Sequence, residues 1–175
     1  MSMHDGKRII DKERFYLREW MPGDGKYHYL LNADSDVVKF TGDIAFTSEE
    51  AAERFNIAYD QFEKYGCGRW LIFLKDNVDF VGWCGVKYHE DTDSYDLGFR
   101  LLKKYWGMGL ATESSKAVLD WAKLALPGKT ILAKAAIDNH GSINVLKKLG
   151  FQVTGQDEDH GMQVIVFELP KVPLN

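Results

Sequence analysis

The sequence predicts a mixed α/β fold, with a mostly antiparallel, twisted sheet of about seven strands and about four helices on its faces. Three observations support this prediction. Short apolar runs typical of strands alternate with helical patterns, most strands follow one another across short polar turns, and one strand–helix–strand crossover lies within residues 95–137. A chain of 175 residues with 45% hydrophobic residues can bury one core. We therefore expect a single domain over residues 8–171.

The first third of the chain predicts one strand and two helices. Residues 13–20 place Phe-Tyr-Leu between polar flanks, as in a short strand, and Pro22-Gly23 then begins a turn into a short helix that ends near Ala33. Thr47 and Glu50 have the spacing of a capping box. The helix after them has an apolar face at helical spacing, formed by Ala51, Phe55, Ala58, Phe62 and Tyr65.

Three strands and the longest helix occupy the middle of the chain. Residues 69–75 and 78–88 are apolar runs joined by a short polar turn, which predicts a hairpin, and residues 95–102 form a third run. A loop over residues 103–109 then leads into a helix over residues 110–126.

The last third predicts a strand, a short helix and two closing strands. The first strand covers residues 130–137, and the helix covers residues 139–149 before a glycine stop. The closing strands are expected at residues 151–154 and 162–169, with a loop over residues 156–161 between them.

Charge and cysteine usage exclude several classes of protein. The formal net charge is −4, so the chain lacks the broad basic face that a nucleic-acid partner requires. No apolar run approaches the ~18 residues of a membrane span, and we expect no membrane partner. Cys67 and Cys84 form neither a metal motif nor a disulfide framework, which favours a reducing compartment. We expect a cytoplasmic protein without a metal.

The segment from Lys104 to Thr112, KYWGMGLAT, is the most informative part of the sequence. Its two glycines let the main chain approach a ligand closely, and the first amides of the following helix suit a phosphate group. A dinucleotide-binding loop needs a third glycine where Thr112 stands, and the Gly-Lys-Ser/Thr of a nucleotide-hydrolase loop is absent. The plain alternative is a glycine-rich loop that only turns a corner.

Two segments in order resemble the GNAT N-acetyltransferase superfamily. Residues 95–113, YDLGFRLLKKYWGMGLATE, are similar to its acyl-CoA loop, [Q/R]-x-x-G-x-[G/A] after a strand, with Lys104 where Gln or Arg is usual. Residues 139–151, NHGSINVLKKLGF, resemble its second motif, and residues 14–20 and 166–169 match the family's ends. The resemblance covers about residues 12–170 and is greatest to the branch with the ribosomal-protein-alanine N-acetyltransferases.

This resemblance implies acetyl-CoA as co-substrate, bound in a gap where two central parallel strands splay apart. Main-chain groups around Phe99, Leu101 and Leu102 would pair with the pantetheine arm, and an amide at Leu101 or Leu102 would stabilise the oxyanion. Asn139 and Asn144 are candidates for polar contacts with the arm. The pyrophosphate would lie on the glycine-rich loop, formed by Lys104, Trp106, Gly107, Met108, Gly109, Leu110, Ala111 and Thr112.

The catalytic candidates also follow from the resemblance. Many members have a tyrosine as general acid where this chain has Leu146, and in the branch named above Ser142 fits that role. The alternative is that Ser142 and Asn139 only cap the helix. Asp96 is the candidate base, and the alternative is an exposed strand carboxylate; His89 is less favoured.

The predicted reaction is direct transfer of acetyl from acetyl-CoA to a primary amine, without a covalent enzyme intermediate. At pH 7 an α-amino group (pKa ~8) costs only ~1.4 kcal/mol to deprotonate, whereas a lysine-like amine (pKa ~10.4) costs ~4.6 kcal/mol. A protein N-terminus therefore fits a weak base. A polyamine or aminoglycoside acceptor and a catalytically silent acyl-CoA-binding module remain open, as do a homodimer and a cationic acceptor drawn to the acidic residues 90–96.

Overall fold

The computed structural model describes residues 6–42 and 47–171, which contain one mixed sheet of eight strands. The strand order is β1-β2-β3-β4-β5-β6-β8-β7, and only β5 and β6 pair in parallel. The strands are β1 (Arg8–Asp11), β2 (Phe15–Arg18), β3 (Arg69–Leu74), β4 (Phe80–His89), β5 (Ser94–Leu101), β6 (Ile131–Ala136), β7 (Gln152–Asp159) and β8 (Met162–Glu168). The predicted mixed, mostly antiparallel α/β sheet is confirmed.

Five α-helices accompany the sheet in the described residues, against the four expected. They are α1 (Gly25–Asn32), α2 (Ser35–Val38), α3 (Ser48–Tyr65), α4 (Leu110–Ala125) and α5 (His140–Lys148). The additional helix, α2, is a single turn capped by the Asp34 side chain, which accepts from the Asp36 N–H. The capping box of Thr47 and Glu50 is present at the start of α3.

Two edge strands differ from the sequence prediction. β1 was not expected, because Arg8–Asp11 has only two apolar residues between charges; it is held by pairing with β2. β7 continues to Asp159, so most of the loop expected at residues 156–161 is strand. All but one of its residues are exposed, which leaves no apolar alternation for a sequence to show.

The sheet separates two hydrophobic cores. β3 serves both of them, because Trp70 and Ile72 face one core while Leu71 and Phe73 face the other. Helices α4 and α5 cover the larger core, α1 and α2 pack against the smaller one, and α3 contacts both. Of the predicted apolar face of α3, Ala58, Phe62 and Tyr65 are half-buried against these cores; the side chains of Ala51 and Phe55 lie outside the described part of the chain.

Candidate active site

The parallel strands β5 and β6 separate soon after they meet. Their paired register covers only Tyr95↔Ile131 and Asp96↔Leu132. The Tyr95 N–H donates to the Thr130 carbonyl at 3.1 Å, and main-chain groups along a strand alternate in direction. The main-chain groups of Phe99 therefore also point toward β6, where the partner strand has already diverged. This leaves a gap edged by main-chain donors and acceptors.

The end of β5 distinguishes the two predicted oxyanion donors. The Leu102 N–H donates to the Val81 carbonyl on β4 at 2.9 Å and so faces away from the gap. The Leu101 N–H points the other way, toward the gap. The Leu101 carbonyl accepts a hydrogen bond from the Trp106 indole Nε1–H at 2.9 Å, which ties the glycine-rich loop to the strand. Leu101 is thus the better-placed donor.

The glycine-rich loop presents an open helix N-terminus. Gly107 and Gly109 have φ of 73° and 77°, backbone conformations that residues other than glycine rarely adopt. Gly109 is the N-cap of α4, and no side chain caps the helix. Arg14 holds the loop through a 2.8 Å hydrogen bond to the Met108 carbonyl and a 2.7 Å ion pair with Glu113. The first amides of α4 are therefore available to an anion.

The two lysines beside this loop are already engaged. Lys103 lies 2.5 Å from the Asp36 carboxylate, which raises the pKa of its ammonium group. Lys104 lies 3.9 Å from Asp79, and its pKa is raised chiefly by the hydrogen bond with Tyr105. Both remain cationic but exposed, so the main-chain amides are the more specific part of this anion site.

A cavity of about 760 Å³ lies beside the gap and brings together four of the predicted site residues. These are Asp96, Phe99, Asn139 and Ser142. The loop residues do not line this cavity, since they follow the carboxyl end of β5. Asn144 is exposed on α5 and does not line it either.

Ser142 and Asn139 have separate roles at the start of α5. The Asn139 side chain accepts from the Ser142 main-chain N–H at 3.1 Å, which confirms Asn139 as a cap. The Ser142 hydroxyl takes no part in that cap, and Ser142 is one of the residues that line the cavity. Leu146, in the same cavity, is buried and has no proton to give. Ser142 is thus the hydroxyl that α5 presents to the cavity.

Asp96 is not an isolated strand carboxylate. Its Oδ2 accepts from the Arg69 guanidinium at 2.6 Å, and His89 Nε2 lies 4.0 Å from the same oxygen. Arg69 crosses from β3 to reach it, lying over Gly98 of β5, where a Cβ would lie 1.6 Å from Arg69 Nη1. Gly98 therefore makes the ion pair possible, and both side chains face the cavity.

Two arginines that line this cavity, Arg69 and Arg100, were not predicted from the sequence. Arg69 and Arg100 both lie over the Trp83 ring, with guanidinium carbons 4.8 and 5.4 Å from its centre. Arg100 also donates to the amide oxygen of Asn32, which is buried at the end of α1. The only local signal was the pair of glycines on neighbouring strands, Gly85 and Gly98, that leave room for a long side chain.

The acidic segment of residues 90–96 does not act as one patch. Glu90 pairs with Lys64 at 2.8 Å, which lowers the pKa of its carboxyl. Asp93 accepts from the Tyr88 hydroxyl at 2.8 Å, and this bond lowers the pKa of Asp93. Only Asp91 and Asp96 of the segment's carboxylates line the cavity. The dense acidic surface that the sequence suggested for a cationic acceptor is therefore divided.

Neither cysteine is set up as a nucleophile. Cys67 and Cys84 are both free and buried. Burial raises the pKa of each thiol to about 11, so less than about one in a thousand is thiolate at pH 7. This agrees with direct transfer rather than a covalent thioester on the enzyme.

Two features are absent from residues 6–42 and 47–171. No helix there is both long and apolar enough to cross a membrane. No group of three or more His, Cys, Asp or Glu side chains in this part of the chain lies close enough together to hold a metal ion.

Comparison with known structures gives the same fold. An acetyltransferase of Salmonella typhimurium that modifies the N-terminal serine of ribosomal protein L7/L12 superposes with a TM-score of 0.78 at 15% identity, covering 93% of this chain and 98% of that one. A spermidine N-acetyltransferase of Vibrio cholerae, in complex with CoA and spermine, gives a TM-score of 0.74 at 15% identity, covering 90% and 95%. At these identities the likeness concerns the fold.

Sequence comparison identifies the family. An uncharacterised N-acetyltransferase of Bacillus licheniformis, p20, is 26% identical over 150 residues, which are 85% of this chain and 84% of that protein. The model of the acetyltransferase (GNAT) domain matches residues 14–152, well over half of the chain. The match includes the glycine-rich loop, the splayed strands and the Asn139–Ser142 turn. The chain therefore belongs to the GNAT acetyltransferase family and is an acetyl-CoA-dependent acyltransferase.

Proposed function

We propose that this chain moves the acetyl group of acetyl-CoA directly onto the α-amino group of an acceptor, with residues 8–171 acting as one domain. One observation carries the proposal. The gap between β5 and β6 and the 760 Å³ cavity meet at Phe99, whose main chain faces the gap and which also lines the cavity. Two substrates that approach from these two directions would meet there.

The residues present fit acetyl-CoA. The uncapped amides at the start of α4 suit a pyrophosphate, and the open edge of β5 suits the amide groups of a pantetheine arm. Of the contacts predicted for this ligand, the loop from Trp106 to Thr112, Phe99 and Leu101 are retained in the proposal. Asn144, which is exposed on α5, stays a candidate for a polar contact with the arm. The Leu101 N–H is assigned to the acetyl oxygen.

Ser142 is the proposed general acid. As the amine nitrogen bonds to the acetyl carbon, the carbon–sulfur bond breaks and the CoA sulfur gains negative charge, which a proton or hydrogen bond from a hydroxyl stabilises. Ser142 is the residue of α5 in this cavity that carries a hydroxyl group. The buried Leu146 beside it has no proton to donate.

Asp96 is the proposed base, acting through Oδ1, since Oδ2 accepts from Arg69. Aspartate carboxylates are weak bases in general, and a weak base is adequate only for an amine that is easily deprotonated. An α-amino group costs ~1.4 kcal/mol to deprotonate at pH 7 against ~4.6 kcal/mol for a lysine-like amine. This difference favours an α-amino acceptor over a polyamine.

Replacing Asp96 with asparagine is expected to lower kcat/KM about tenfold at pH 7, with a deficit that shrinks as the pH approaches 9. The amine loses its own proton over that range, so a base matters less at high pH. The measurement is the pH profile of acetyl transfer for both proteins. A deficit that stays constant from pH 6.5 to pH 9 would show instead that Asp96 serves only to hold Arg69.

Acetyl-CoA is expected to raise the melting temperature of the protein, and free thiol is expected to appear when an α-amino compound is added. A ligand at 100 times its Kd adds about 2.7 kcal/mol to the unfolding free energy, which is a shift of several degrees for a chain of this size. The panel should contain short peptides with free N-termini, amino acids, polyamines and aminoglycosides. A melting shift without turnover of any amine would favour the silent acyl-CoA-binding module.

A further inference from the structure

We propose that Arg14 is a positioning residue for the pyrophosphate of acetyl-CoA. It orients one amide of the glycine-rich loop and neutralises a carboxylate that would otherwise repel the anion. This inference rests on the function proposed above and gives the loop a partner from outside its own segment. Its starting point is that one guanidinium bonds both the Met108 carbonyl, at 2.8 Å, and the Glu113 carboxylate, at 2.7 Å.

The main chain of Arg14 is fixed by the sheet. Arg14 directly precedes β2, and its carbonyl accepts a hydrogen bond at 3.0 Å from the N–H of Lys75, just after β3. The next side chain, that of Phe15, is buried in the larger core. The guanidinium therefore reaches the loop from a rigid part of the fold, although 94 residues of sequence separate Arg14 from Met108.

The hydrogen bond to Met108 sets the direction of the next amide. The peptide bond between Met108 and Gly109 is trans, so its C=O and N–H groups point in opposite directions. Because the Met108 carbonyl points at Arg14, the Gly109 N–H points away from it. Gly109 is the N-cap of α4, where no side chain caps the helix. Arg14 thus holds one amide of the anion site in an outward orientation.

The ion pair with Glu113 removes a competitor for the same helix end. Glu113 lies in the first turn of α4, where a carboxylate stabilises the helix but also opposes the binding of another anion. Arg14 compensates this negative charge beside the loop. The two side chains are 43% and 52% exposed, and an ion pair with this exposure adds little to stability. We therefore expect the pair to affect anion affinity more than the fold.

The groove between Arg14 and α4 has no surplus of positive charge. Three cations and three carboxylates line it: Lys12, Arg14, Lys116, Glu13, Glu113 and Asp120. Lys116 is itself paired with Asp120, at 3.0 Å. Without the charge of Arg14, the side chains of this groove would carry a net negative charge next to the amides that hold the pyrophosphate. Affinity for the anion therefore depends on Arg14 even though its surroundings are balanced.

Arg14→Gln tests this assignment with two acetyl donors. The variant should raise the Kd of CoA, measured by calorimetry, about tenfold, which is the lower end of what one hydrogen bond to a charged group contributes. With acetyl-CoA as donor, kcat/KM should fall by a similar factor. With S-acetylpantetheine, which lacks the nucleotide and its phosphates, kcat/KM should change less than about twofold. A merely structural role for Arg14 would lower kcat/KM for both donors alike.

Two further variants should restore part of the affinity for CoA: Arg14→Lys, which keeps the charge, and Arg14→Gln combined with Glu113→Gln, which removes the competing carboxylate. Lys116→Gln is the matched control, because it removes one positive charge and breaks one exposed ion pair in the same groove. Its Kd for CoA should stay within about twofold of the native value. An Arg14→Gln protein that binds CoA within about threefold of the native value, or that loses activity with both donors equally, would overturn this inference alone. A native protein that binds no CoA would overturn the proposed function beneath it.

Discussion

Alanine in place of Ser142 is expected to lower kcat about 100-fold and to leave the Kd for acetyl-CoA unchanged. The physical reason is the loss of the hydroxyl that stabilises the departing CoA sulfur. The fold should not change, because α5 is capped by the Asn139 side chain bonding to the Ser142 main chain, which alanine also has. Steady-state kinetics with thiol detection, together with calorimetric binding, would separate the chemical step from cofactor binding.

Ser142→Thr provides the control for this prediction, since it restores the hydroxyl at the cost of one methyl group. It should recover much of the activity that alanine loses. If the kcat of Ser142→Ala were within threefold of that of the native protein, Ser142 would have no role in the chemical step. Another group would then have to stabilise the sulfur.

The parts of the fold that the sequence predicted well are those buried on two sides or closed by specific local residues. β3 is apolar at nearly every position because it contacts both cores, and α3 begins at a capping box. β1 and β7 lie at the edges of the sheet, where the partner strand supplies most of the stabilisation and the side chains remain exposed. Their own residues therefore hold little information about where the strand ends.

The candidate site divides in the same way. The glycine-rich loop was visible in the sequence because its residues are consecutive and need unusual backbone angles at Gly107 and Gly109. The contribution of the arginines was not visible in the sequence, because Arg69 lies on β3 while its partner Asp96 lies on β5, 27 residues later. Contacts across a sheet depend on register, and a sequence without the register cannot show which charges meet.

Valine at Gly109 is expected to raise the Kd for acetyl-CoA by at least about 100-fold. Gly109 has φ of 77°, and a β-branched residue there costs about 1–3 kcal/mol, so the loop would relax to another conformation and withdraw its amides. Each charge-assisted hydrogen bond from such an amide contributes roughly 1.5–3 kcal/mol, and losing one or two gives this change in affinity. Isothermal calorimetry with CoA and acetyl-CoA is the direct measurement.

A lower stability of the Gly109→Val protein would by itself also weaken acetyl-CoA binding. The variant Gly128→Val separates this cause from the loss of the loop amides. Gly128 follows the other end of α4 with φ of 73° and has nothing within 4 Å of its Cβ position, whereas at Gly109 Arg14 Nη2 lies 3.6 Å away, an ordinary contact distance. Valine there carries a similar backbone strain at a site remote from the loop. We expect both variants to lose comparable stability in urea, while only the Gly109 variant loses affinity. Equal affinity in the two would mean that the loop amides do not hold the pyrophosphate, and the cofactor site would have to lie elsewhere along β5.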